Sequence, residues 1–334
     1  MQKHQILIYF TVLISLTTAC TYSVGGADGP ELALLGLLND GSQLNNSSST
    51  TVDPGRFVAV GNSGQIWYSD DGGNNWTDVS PGGPNLNGIA YNGSAFVAVG
   101  NNGQVHYSSN GISWTPTTAG ATTLRWVATN GSRIVAVGNA GTVKYSDDGG
   151  QTWLDSSPGG ANMLSVTYGN GHFVAVGDSG NTWWSTDGIV WNNVLPGGAG
   201  NFKAVSYGNG LFVGVAWNSE SWYSSDNGQS YTLGTVPIQN TGTPGLMSGL
   251  TFGNGQFISI EWQGYMLSTL TSQTGQWNTH GAIGDARGLA YGADRYLGVG
   301  YGSNVIYSAD GATWSTISSG TVASPLLAIA HAPL

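Results

Sequence analysis

The chain has 334 residues, a formal net charge of −10 and charged side chains at only 8% of its positions. A chain this acidic offers no basic surface for DNA, RNA or anionic lipids, so we expect no nucleic-acid partner and no membrane contact through charge. Its 54 glycines, 13 tryptophans and 15 tyrosines are typical of a protein with many tight turns around aromatic cores.

The N-terminus has the features of a bacterial lipoprotein signal peptide. Lys3 precedes an apolar stretch from Ile6 to Leu16, which is too short for a membrane-spanning helix but suits the core of a signal peptide. The only cysteine, Cys20, follows small residues. In an exported protein a lone cysteine is better explained by lipidation than by a free thiol. We therefore predict a signal peptide over residues 1–19 and an acyl chain such as palmitate on Cys20, with ordinary secretion after cleavage near Ala19 as the alternative.

The residues after the cysteine predict where the protein resides. Thr21 stands where an aspartate would retain a lipoprotein at the inner membrane, which resembles the pattern of Gram-negative lipoproteins that move to the outer membrane. Residues 20–52 are rich in glycine, serine, threonine and asparagine, and this composition predicts a flexible tether. We expect an outer-membrane lipoprotein of the bacterial cell envelope, and the sequence leaves open whether it faces the cell surface.

From residue 53 onward the chain repeats one pattern seven times. Each copy has an apolar run, a turn, a third strand and a last turn that closes on an aromatic residue; this last turn contains Asp-Gly or a close variant in most copies and is degenerate over Ser268–Trp277. The apolar runs are anchored at Phe57, Phe96, Ile134, Phe173, Phe212, Phe257 and Tyr296, and the closing aromatic residues are Trp76, Trp114, Trp153, Trp191, Tyr231, Trp277 and Trp314. Repeats of about 40 residues made of short strands and tight turns are typical of β-propeller blades.

Within a copy, short alternating segments bounded by Asn-Gly or Gly-Gly predict four antiparallel strands. In the second copy we place them at Leu86–Tyr91, Ala95–Gly100, Gln104–Ser108 and Trp114–Thr117. The first copy opens at Arg56 with a second strand, and Ser324–His331 resembles a first strand that nothing follows. Residues 53–334 are therefore predicted to form an all-β, seven-bladed β-propeller, in which the C-terminal strand joins the first blade and closes the ring.

The Asp-Gly turns resemble Asp-boxes, the Ser-x-Asp-x-Gly-x-x-Trp repeats of sialidase-like (BNR-repeat) propellers. Ser69–Trp76 and Ser146–Trp153 fit this pattern, and Ser224–Tyr231 fits it with a closing tyrosine. The resemblance implies that these boxes lie on the face away from a substrate. Because every blade repeats them, we expect structural roles for the carboxylates of Asp71, Asp148, Asp187, Asp226 and Asp310.

The resemblance raises the question of glycoside hydrolysis, because sialidases hold a substrate carboxylate with three arginines. Arg56, Arg133 and Arg295 occupy one equivalent position in three different blades, so they cannot converge, and we expect solvated side chains there. Arg125 and Arg287 lie on inner strands and could approach the channel, but two arginines do not make the triad.

A glycosidase also needs two carboxylates across a cleft. The best acidic cluster is Asp178, Glu220 and Glu261, which we place in the turns between the second and third strands of consecutive blades. Ordinary turn carboxylates in water are the favoured interpretation of these three residues. The five histidines are scattered, and no metal-ligand spacing or phosphate-binding loop occurs, so we expect neither a metal nor a cofactor.

One departure from the repeat predicts a contact surface. The turn residue that is Asn62, Asn101, Asn139 and Asp178 in four blades becomes Trp217, Trp262 and Tyr301 in the next three. Aromatic residues at exposed turns suit a sugar ring or a protein partner. The alternative is that neighbouring loops, especially residues 236–249, cover these rings as packing.

Together these features predict a non-catalytic binding or adhesion scaffold with a monomeric propeller, whose ligand is an extracellular-matrix protein, a host protein or a glycan. A sialidase-like glycoside hydrolase and a periplasmic assembly factor for a membrane complex are the alternatives.

Overall fold

The computed structural model describes residues 55–333, except 196–199, 218–219, 236–246, 262–263, 270–276, 283, 285, 302–303 and 319–324. The predicted signal peptide (1–19), Cys20 with its tether (20–52), the loop over 236–246 and Trp262 lie outside the described residues. Within the described part of the chain, no helix has both the length and the apolar character needed to cross a membrane.

The described strands form seven four-stranded antiparallel sheets, one for each predicted blade. Blade 1 contains β1 (Arg56–Gly61), β2 (Ile66–Ser69), β3 (Thr77–Asp78) and the C-terminal β28 (Leu326–Ala332); blade 2 contains β4 (Leu86–Tyr91), β5 (Phe96–Gly100), β6 (Gln104–Ser108) and β7 (Thr115–Thr118). Blade 3 contains β8 (Leu124–Thr129), β9 (Ile134–Gly138), β10 (Val143–Ser146) and β11 (Leu154–Asp155); blade 4 contains β12 (Met163–Gly169), β13 (His172–Gly177), β14 (Thr182–Ser185) and β15 (Asn192–Val194).

The other three blades follow the same order. Blade 5 contains β16 (Phe202–Gly208), β17 (Leu211–Ala216), β18 (Glu220–Ser224) and β19 (Thr232–Thr235); blade 6 contains β20 (Met247–Gly253), β21 (Gln256–Glu261), β22 (Tyr265–Thr269) and β23 (Asn278–Ala282); blade 7 contains β24 (Ala286–Gly292), β25 (Arg295–Gly300), β26 (Asn304–Ser308) and β27 (Ser315–Ser318).

The predicted architecture is confirmed. In blade 2 the first and third strands have the predicted bounds, and the second and fourth differ by one residue at their ends. The C-terminal β28 pairs with β1, with Phe57 opposite His331 and Ala59 opposite Ile329, so the last strand of the chain completes the first blade. Ring closure leaves no blade without its inner strand.

The core consists of layers between consecutive blades. The second strand of each blade is buried on both faces, which explains its continuous apolar run. In β1, Phe57 and Ala59 belong to the layer shared with blade 7, whereas Val58 and Val60 belong to the layer shared with blade 2. Burial of one such valine or phenylalanine contributes roughly 1.5–3 kcal/mol relative to an exposed side chain. A closing aromatic residue packs in each layer, as Trp114 does between blades 1 and 2.

Every inner strand carries a β-bulge near its start. In blade 2, Leu86 pairs with Gly100 and Gly88 pairs with Val99, so Asn87 is left without an opposite residue. The same shift occurs in the inner strands of the other described blades. A bulge changes the direction of the extra residue's side chain, and this feature positions the candidate site.

The turn that faces the bulge has one form in blades 1 to 4. It is a single 3-10 turn at Asn62–Gly64, Asn101–Gly103, Asn139–Gly141 and Asp178–Gly180. In blade 2 the amide of Asn101 donates to the carbonyl oxygen of Asn85 at 2.9 Å. The strand packs so closely here that a Cβ on Gly100 would lie 2.1 Å from that same oxygen. A glycine before the turn is therefore a packing requirement in this blade.

Candidate binding face

Two sets of equivalent residues meet at one end of the propeller channel, and we call them together the channel rim. The turn positions open the turn between the second and third strands; in blades 1 to 5 and blade 7 they are Asn62, Asn101, Asn139, Asp178, Trp217 and Tyr301, and the equivalent residue of blade 6 lies outside the described residues. The bulge positions, which are the extra residues of the inner strands in the same order, are Leu327, Asn87, Arg125, Leu164, Lys203, Ser248 and Arg287.

In blades 2 and 3 the bulge residue donates a hydrogen bond to the turn residue of its own blade. The side-chain amide of Asn87 donates to Asn101 Oδ1 at 3.0 Å, and Arg125 Nε donates to Asn139 Oδ1 at 2.9 Å. Asn87 also donates to the carbonyl oxygen of Leu124 in the next blade, at 2.7 Å. The rim is therefore a connected polar surface on this side of the ring.

In blades 5 and 7 the same two positions hold a cation and an aromatic ring. Lys203 Nζ lies 3.5 Å from the ring centroid of Trp217, and Arg287 Cζ lies 4.7 Å from that of Tyr301. Both distances are within the range of a cation–π interaction. The amide of Trp217 donates to the carbonyl oxygen of Asn201 at 3.1 Å, as asparagine amides do in blades 1 to 3, so the backbone bond survives the change of side chain.

Both described aromatic residues of the rim are exposed to solvent. Trp217 is 42% exposed and Tyr301 is 49% exposed. The alternative that loops bury these rings therefore does not hold for these two residues. Trp262 lies outside the described residues, so its predicted place beside them stays a prediction.

Lys203 and Arg287 also line a cavity of about 160 Å³ inside the ring, together with Trp126, Ser165 and Thr251. Lys203 is partly buried. Burial lowers the pKa of its ammonium group, and the like charge of Arg125 lowers it further, while the carboxylate of Asp178 opposes both effects. Arg125, Lys203 and Arg287 therefore form a cationic cluster at the channel, of which the sequence predicts only the two arginines.

The acidic trio does not behave as three solvated turn carboxylates. Asp178 occupies a turn position and accepts a hydrogen bond from Asn162 Nδ2 at 2.8 Å. Glu220 begins β18, and its Oε2 is buried with no hydrogen-bond partner among the described residues. Glu261 ends β21 and is only 4% exposed, and burial raises the pKa of its carboxyl group. The prediction of turn carboxylates in water is therefore wrong for Glu261, because this residue is the last of β21, at the position of Gly100 in blade 2, and precedes the turn.

None of these three acids is among the described residues that line the channel cavity. The structure thus does not bring them together there as the pair of carboxylates that a glycosidase requires. The described residues also contain no group of three or more histidine, cysteine, aspartate or glutamate side chains that could hold a metal ion.

The opposite face of the propeller carries the Asp-Gly turns. Asp148 Oδ1 accepts hydrogen bonds from the amides of Gln151 and Thr152 at 3.0 and 2.9 Å. Comparable bonds are accepted by Asp71, Asp187, Asp226 and Asp310. Burial acts to raise the pKa of Asp148, but hydrogen bonds from Thr152, Ser146 and Gln151 outweigh it and the pKa is lowered. In each of these turns the carboxylate accepts hydrogen bonds from amides of the same turn and thereby stabilises it.

The arginines on this second face join neighbouring blades. Arg56 forms two hydrogen bonds with the Asp70 carboxylate, at 2.6 and 2.7 Å, and also donates to the carbonyl oxygen of Asn110 in blade 2. Arg133 pairs with Asp147 and donates to the carbonyl oxygen of Asp187 in blade 4, at 2.6 Å. The expectation of solvated side chains is therefore wrong, because each guanidinium bridges two blades.

A larger depression of about 570 Å³ lies between blades 2 and 3 on this face, and its wall includes Tyr107, Ser108, Asp147 and Asp148. Both of its carboxylates already accept hydrogen bonds, Asp147 from Arg133 and Asp148 from its own turn. The channel rim is therefore the stronger candidate, because the rings of Trp217 and Tyr301 are exposed there.

The blades, the ring closure and the rim define a seven-bladed antiparallel β-propeller. Residues 56–159, which span blades 1 to 3, match the DUF6242 beta propeller domain. No protein of curated function matches the chain.

Several solved propellers have a similar fold. A structure of YCF48 bound to a D1 peptide is 15% identical with a TM-score of 0.59, and the match covers 74% of this chain and 86% of that one. The WD40 β-propeller domain of Doa1 is 12% identical with a TM-score of 0.58, covering 73% and 84%. A nidogen/laminin complex is 9% identical with a TM-score of 0.53, covering 83% and 98%. At these identities the likeness concerns the fold alone.

Proposed function

We propose that this propeller is a binding module whose channel rim holds a segment of another protein. The observation that carries the proposal is the pair of exposed aromatic rings, Trp217 and Tyr301, at turn positions that are asparagine or aspartate in blades 1 to 4. Exposed aromatic residues cost solvation in a free monomer and are enriched at interfaces, where they provide large contact areas at a small entropy cost.

The cations beneath the rings support the same proposal. Stacking on Lys203 and Arg287 restricts the rotamers of Trp217 and Tyr301, so less conformational entropy is lost when a partner binds. A preformed aromatic surface of this kind suits contact with a polypeptide. The YCF48 structure holds a peptide and the nidogen/laminin structure is a complex of two proteins, which supports protein binding as the use of the fold here.

The cellular setting is part of the proposal. We propose that the chain is anchored at the bacterial envelope by an acyl chain on Cys20, with residues 20–52 as a tether, and the signal-peptide pattern of residues 1–19 supports this. On the cell surface its partners would be extracellular-matrix or host proteins, whereas in the periplasm it would help to assemble a membrane complex. Palmitate labelling that is lost in Cys20→Ala tests the anchor, and protease treatment of intact cells distinguishes the two sides of the membrane.

Binding is tested with residues 21–334 against a peptide array, immobilised matrix proteins and a glycan array. The double variant Trp217→Ala/Tyr301→Ala is expected to lose saturable binding and to keep its fold. The matched control is Leu154→Ala/Leu233→Ala, which removes side chains that are 58% and 52% exposed on outer strands. Equal loss in both variants contradicts the proposal, and retention on glycans alone replaces the protein ligand with a sugar.

A further inference from the structure

We infer that the groove between blades 2 and 3, on the face that carries the Asp-Gly turns, binds the guanidinium group of an arginine side chain from another protein. This groove is the depression of about 570 Å³ whose wall includes Tyr107 and Asp148. It lies on the opposite face from the channel rim, so the site does not depend on the proposed function.

The chain itself contains three arginine sites of one design. Each arginine stands at the start of a second strand, and its guanidinium stacks on the tyrosine of the third strand of the same blade. The distances from Cζ to the ring centroid are 4.9 Å for Arg56 and Tyr68, 4.8 Å for Arg133 and Tyr145, and 6.0 Å for Arg295 and Tyr307. Each guanidinium also donates to a main-chain carbonyl oxygen in the next blade, and these acceptors belong to Asn110, Asp187 and Gly72. A tyrosine face and a carbonyl oxygen of the next blade are therefore the repeated components.

Blade 2 has the same surroundings without the arginine. Its equivalent residue is Ala95, which ends an Asn-Gly-Ser turn identical in sequence to the turn before Arg133. In both turns the amide of this last residue donates to the asparagine side chain, at 2.8 Å for Ala95 and 2.7 Å for Arg133. Tyr107 stands at the position of Tyr68, and no cation among the described residues stacks on its ring.

The space that an arginine at position 95 would occupy is open. In blade 1, a Cβ added to Gly72 would lie 3.2 Å from Arg295 Nη1. The equivalent glycines of blades 2 and 4 also have the arginine of the preceding blade within 4 Å, Arg56 at Gly111 and Arg133 at Gly188. At Gly149 of blade 3, nothing lies within 4 Å of an added Cβ. Because Gly149, Ala95 and Tyr107 all line the groove, it has the walls of an arginine site and no side chain of this chain inside it.

One difference in blade 2 does not prevent guanidinium binding. Ser109 stands where Asp70 pairs with Arg56 in blade 1, so the groove lacks that carboxylate. In blade 7 the same position is Ala309, and Arg295 still stacks on its tyrosine and donates to the next blade. The ring and the carbonyl oxygen are therefore sufficient to hold a guanidinium in this propeller.

The charge of the groove also favours a cation. Asp147 and Asp148 both line it. Arg133 donates to both carboxylate oxygens of Asp147 at 2.7 Å, whereas Asp148 accepts from the uncharged donors of its own turn. One negative charge thus remains beside the groove, in a chain whose net charge is −10. Arginine fits better than lysine, because a planar guanidinium can stack on Tyr107 while its N–H groups donate to a carbonyl oxygen at the edge.

The arginine has to come from another molecule. Residues 4–54 contain neither lysine nor arginine, so the predicted tether cannot supply the group. The volume of about 570 Å³ lies within the range of roughly 300–1,000 Å³ for ligand pockets and leaves room for the residues beside the arginine. The wall contains the hydroxyl groups of Ser94, Ser113 and Ser132, which suit the polar main chain of an extended peptide.

The first test titrates residues 21–334 with acetyl-Gly-Ser-Arg-Ser-Gly-amide and follows the backbone amide resonances by NMR. Saturable shifts are expected at Gly149 and Ala95. The same peptide with citrulline, which has the shape of arginine without its charge, is expected to bind about tenfold more weakly or less, and a lysine peptide to bind more weakly than the arginine peptide. Absence of shifts at these two residues, or equal binding of the citrulline peptide, overturns the inference.

The second test fills the groove from within. Ala95→Arg is expected to abolish the peptide-induced shifts and to melt at or above the temperature of the parent, because its guanidinium enters an open arginine site. Leu154→Arg is the matched control, since it adds the same charge at an exposed position of the outer strand β11 and is expected to keep peptide binding. Undiminished binding by Ala95→Arg, or a lower melting temperature, overturns the inference. Tighter binding of N-acetylglucosamine than of the arginine peptide at Gly149 overturns the assignment to arginine.

Discussion

Lys203 Nζ lies 3.5 Å from the ring centroid of Trp217, which makes a cation and an exposed aromatic side chain one unit at the channel rim. The contact exists because a β-bulge in β16 displaces Lys203 from the regular pairing, while the turn after β17 places Trp217 beside it. Arg287 and Tyr301 repeat the arrangement two blades further on, at 4.7 Å.

The first prediction concerns the separation of binding from stability at Trp217. The substitution Trp217→Asn restores the residue type of blades 1 to 3, and the backbone bond to Asn201 does not depend on the side chain. We expect the free energy of unfolding to change by no more than about 0.5–1 kcal/mol, the size of an exposed cation–π contact, while binding is lost. Denaturant unfolding beside the peptide assay checks this. A large loss of stability would mean that the tryptophan belongs to the core.

The second prediction concerns the buried carboxyl group of Glu261, whose pKa is raised from its ordinary 4.5 by burial. A group with a higher pKa in the folded state stabilises the fold below its unfolded pKa and loses that contribution as the pH rises through the folded pKa. Glu261→Gln removes this penalty. We therefore expect the variant to melt at a higher temperature than the parent at pH 7 and at a similar temperature at pH 4. A variant that is less stable than the parent at pH 7 would show that a partner stabilises the charged form of Glu261.

The third prediction concerns the Asp-Gly turns at low pH. Hydrogen bonds from the amides of Thr313 and Ala312 lower the pKa of Asp310 from 3.8 to about 2. A lowered pKa contributes stability that is complete above 3.8 and is lost as the pH falls toward 2. Melting temperatures from pH 6 to pH 2 are therefore expected to fall steeply below about pH 4, where the unperturbed group titrates.

Blade 2 provides the control for this turn, since Asn110 accepts bonds from the amides of Ile112 and Ser113 at 2.9 Å each in place of an aspartate. Asp310→Asn is expected to retain most stability at pH 7 and to flatten the acid dependence. Asp310→Ala is expected to cost about 1 kcal/mol at pH 7, because two amides lose their acceptor. Identical acid profiles for parent and Asp310→Asn would contradict the role of the carboxylate.

The fourth prediction concerns the close packing before the turn of blade 2. A Cβ at Gly100 would lie 2.1 Å from the carbonyl oxygen of Asn85, so the backbone must shift to accept it. We expect Gly100→Ala to cost about 1–3 kcal/mol of stability, as overpacked sites do. Gly281→Ala is the matched control, because nothing lies within 4 Å of its added Cβ. Chemical denaturation of both variants provides the comparison, and equal stabilities would argue against the tight contact.

The periodicity of the sequence is sufficient to predict the blades, because each apolar run packs into two interblade layers. The Asn-Gly sequences also predict turns with positive φ, as Asn102 and Gly103 show with φ of 56° and 67°. The bulges could not be predicted in the same way. Leucine, asparagine, arginine, lysine and serine all occupy bulge positions, so no residue type signals them. Lys203 therefore carries no signal of its own, although it is equivalent to Arg125 and Arg287 in the aligned repeats.

The prediction of solvated side chains for the interblade arginines is wrong for a different reason. Their partners in the neighbouring blade are main-chain carbonyl oxygens, such as that of Asp187 for Arg133, and no residue type in the sequence signals a main-chain acceptor. Glu261 is predicted in the turn but stands at the last position of β21, where glycine ends the equivalent strand in most other blades.

The most direct test of the rim as the binding surface is photo-crosslinking in intact cells from a benzoylphenylalanine placed at Tyr301 or, as the control, at Leu154 on the outer strand β11. Both side chains are exposed to solvent, so the two crosslinking positions differ mainly in where they lie on the propeller. The account predicts a discrete light-dependent protein adduct from Tyr301 that is absent from Leu154 and is lost when Trp217→Ala is added. The same adduct from Leu154, or none from Tyr301, would contradict it.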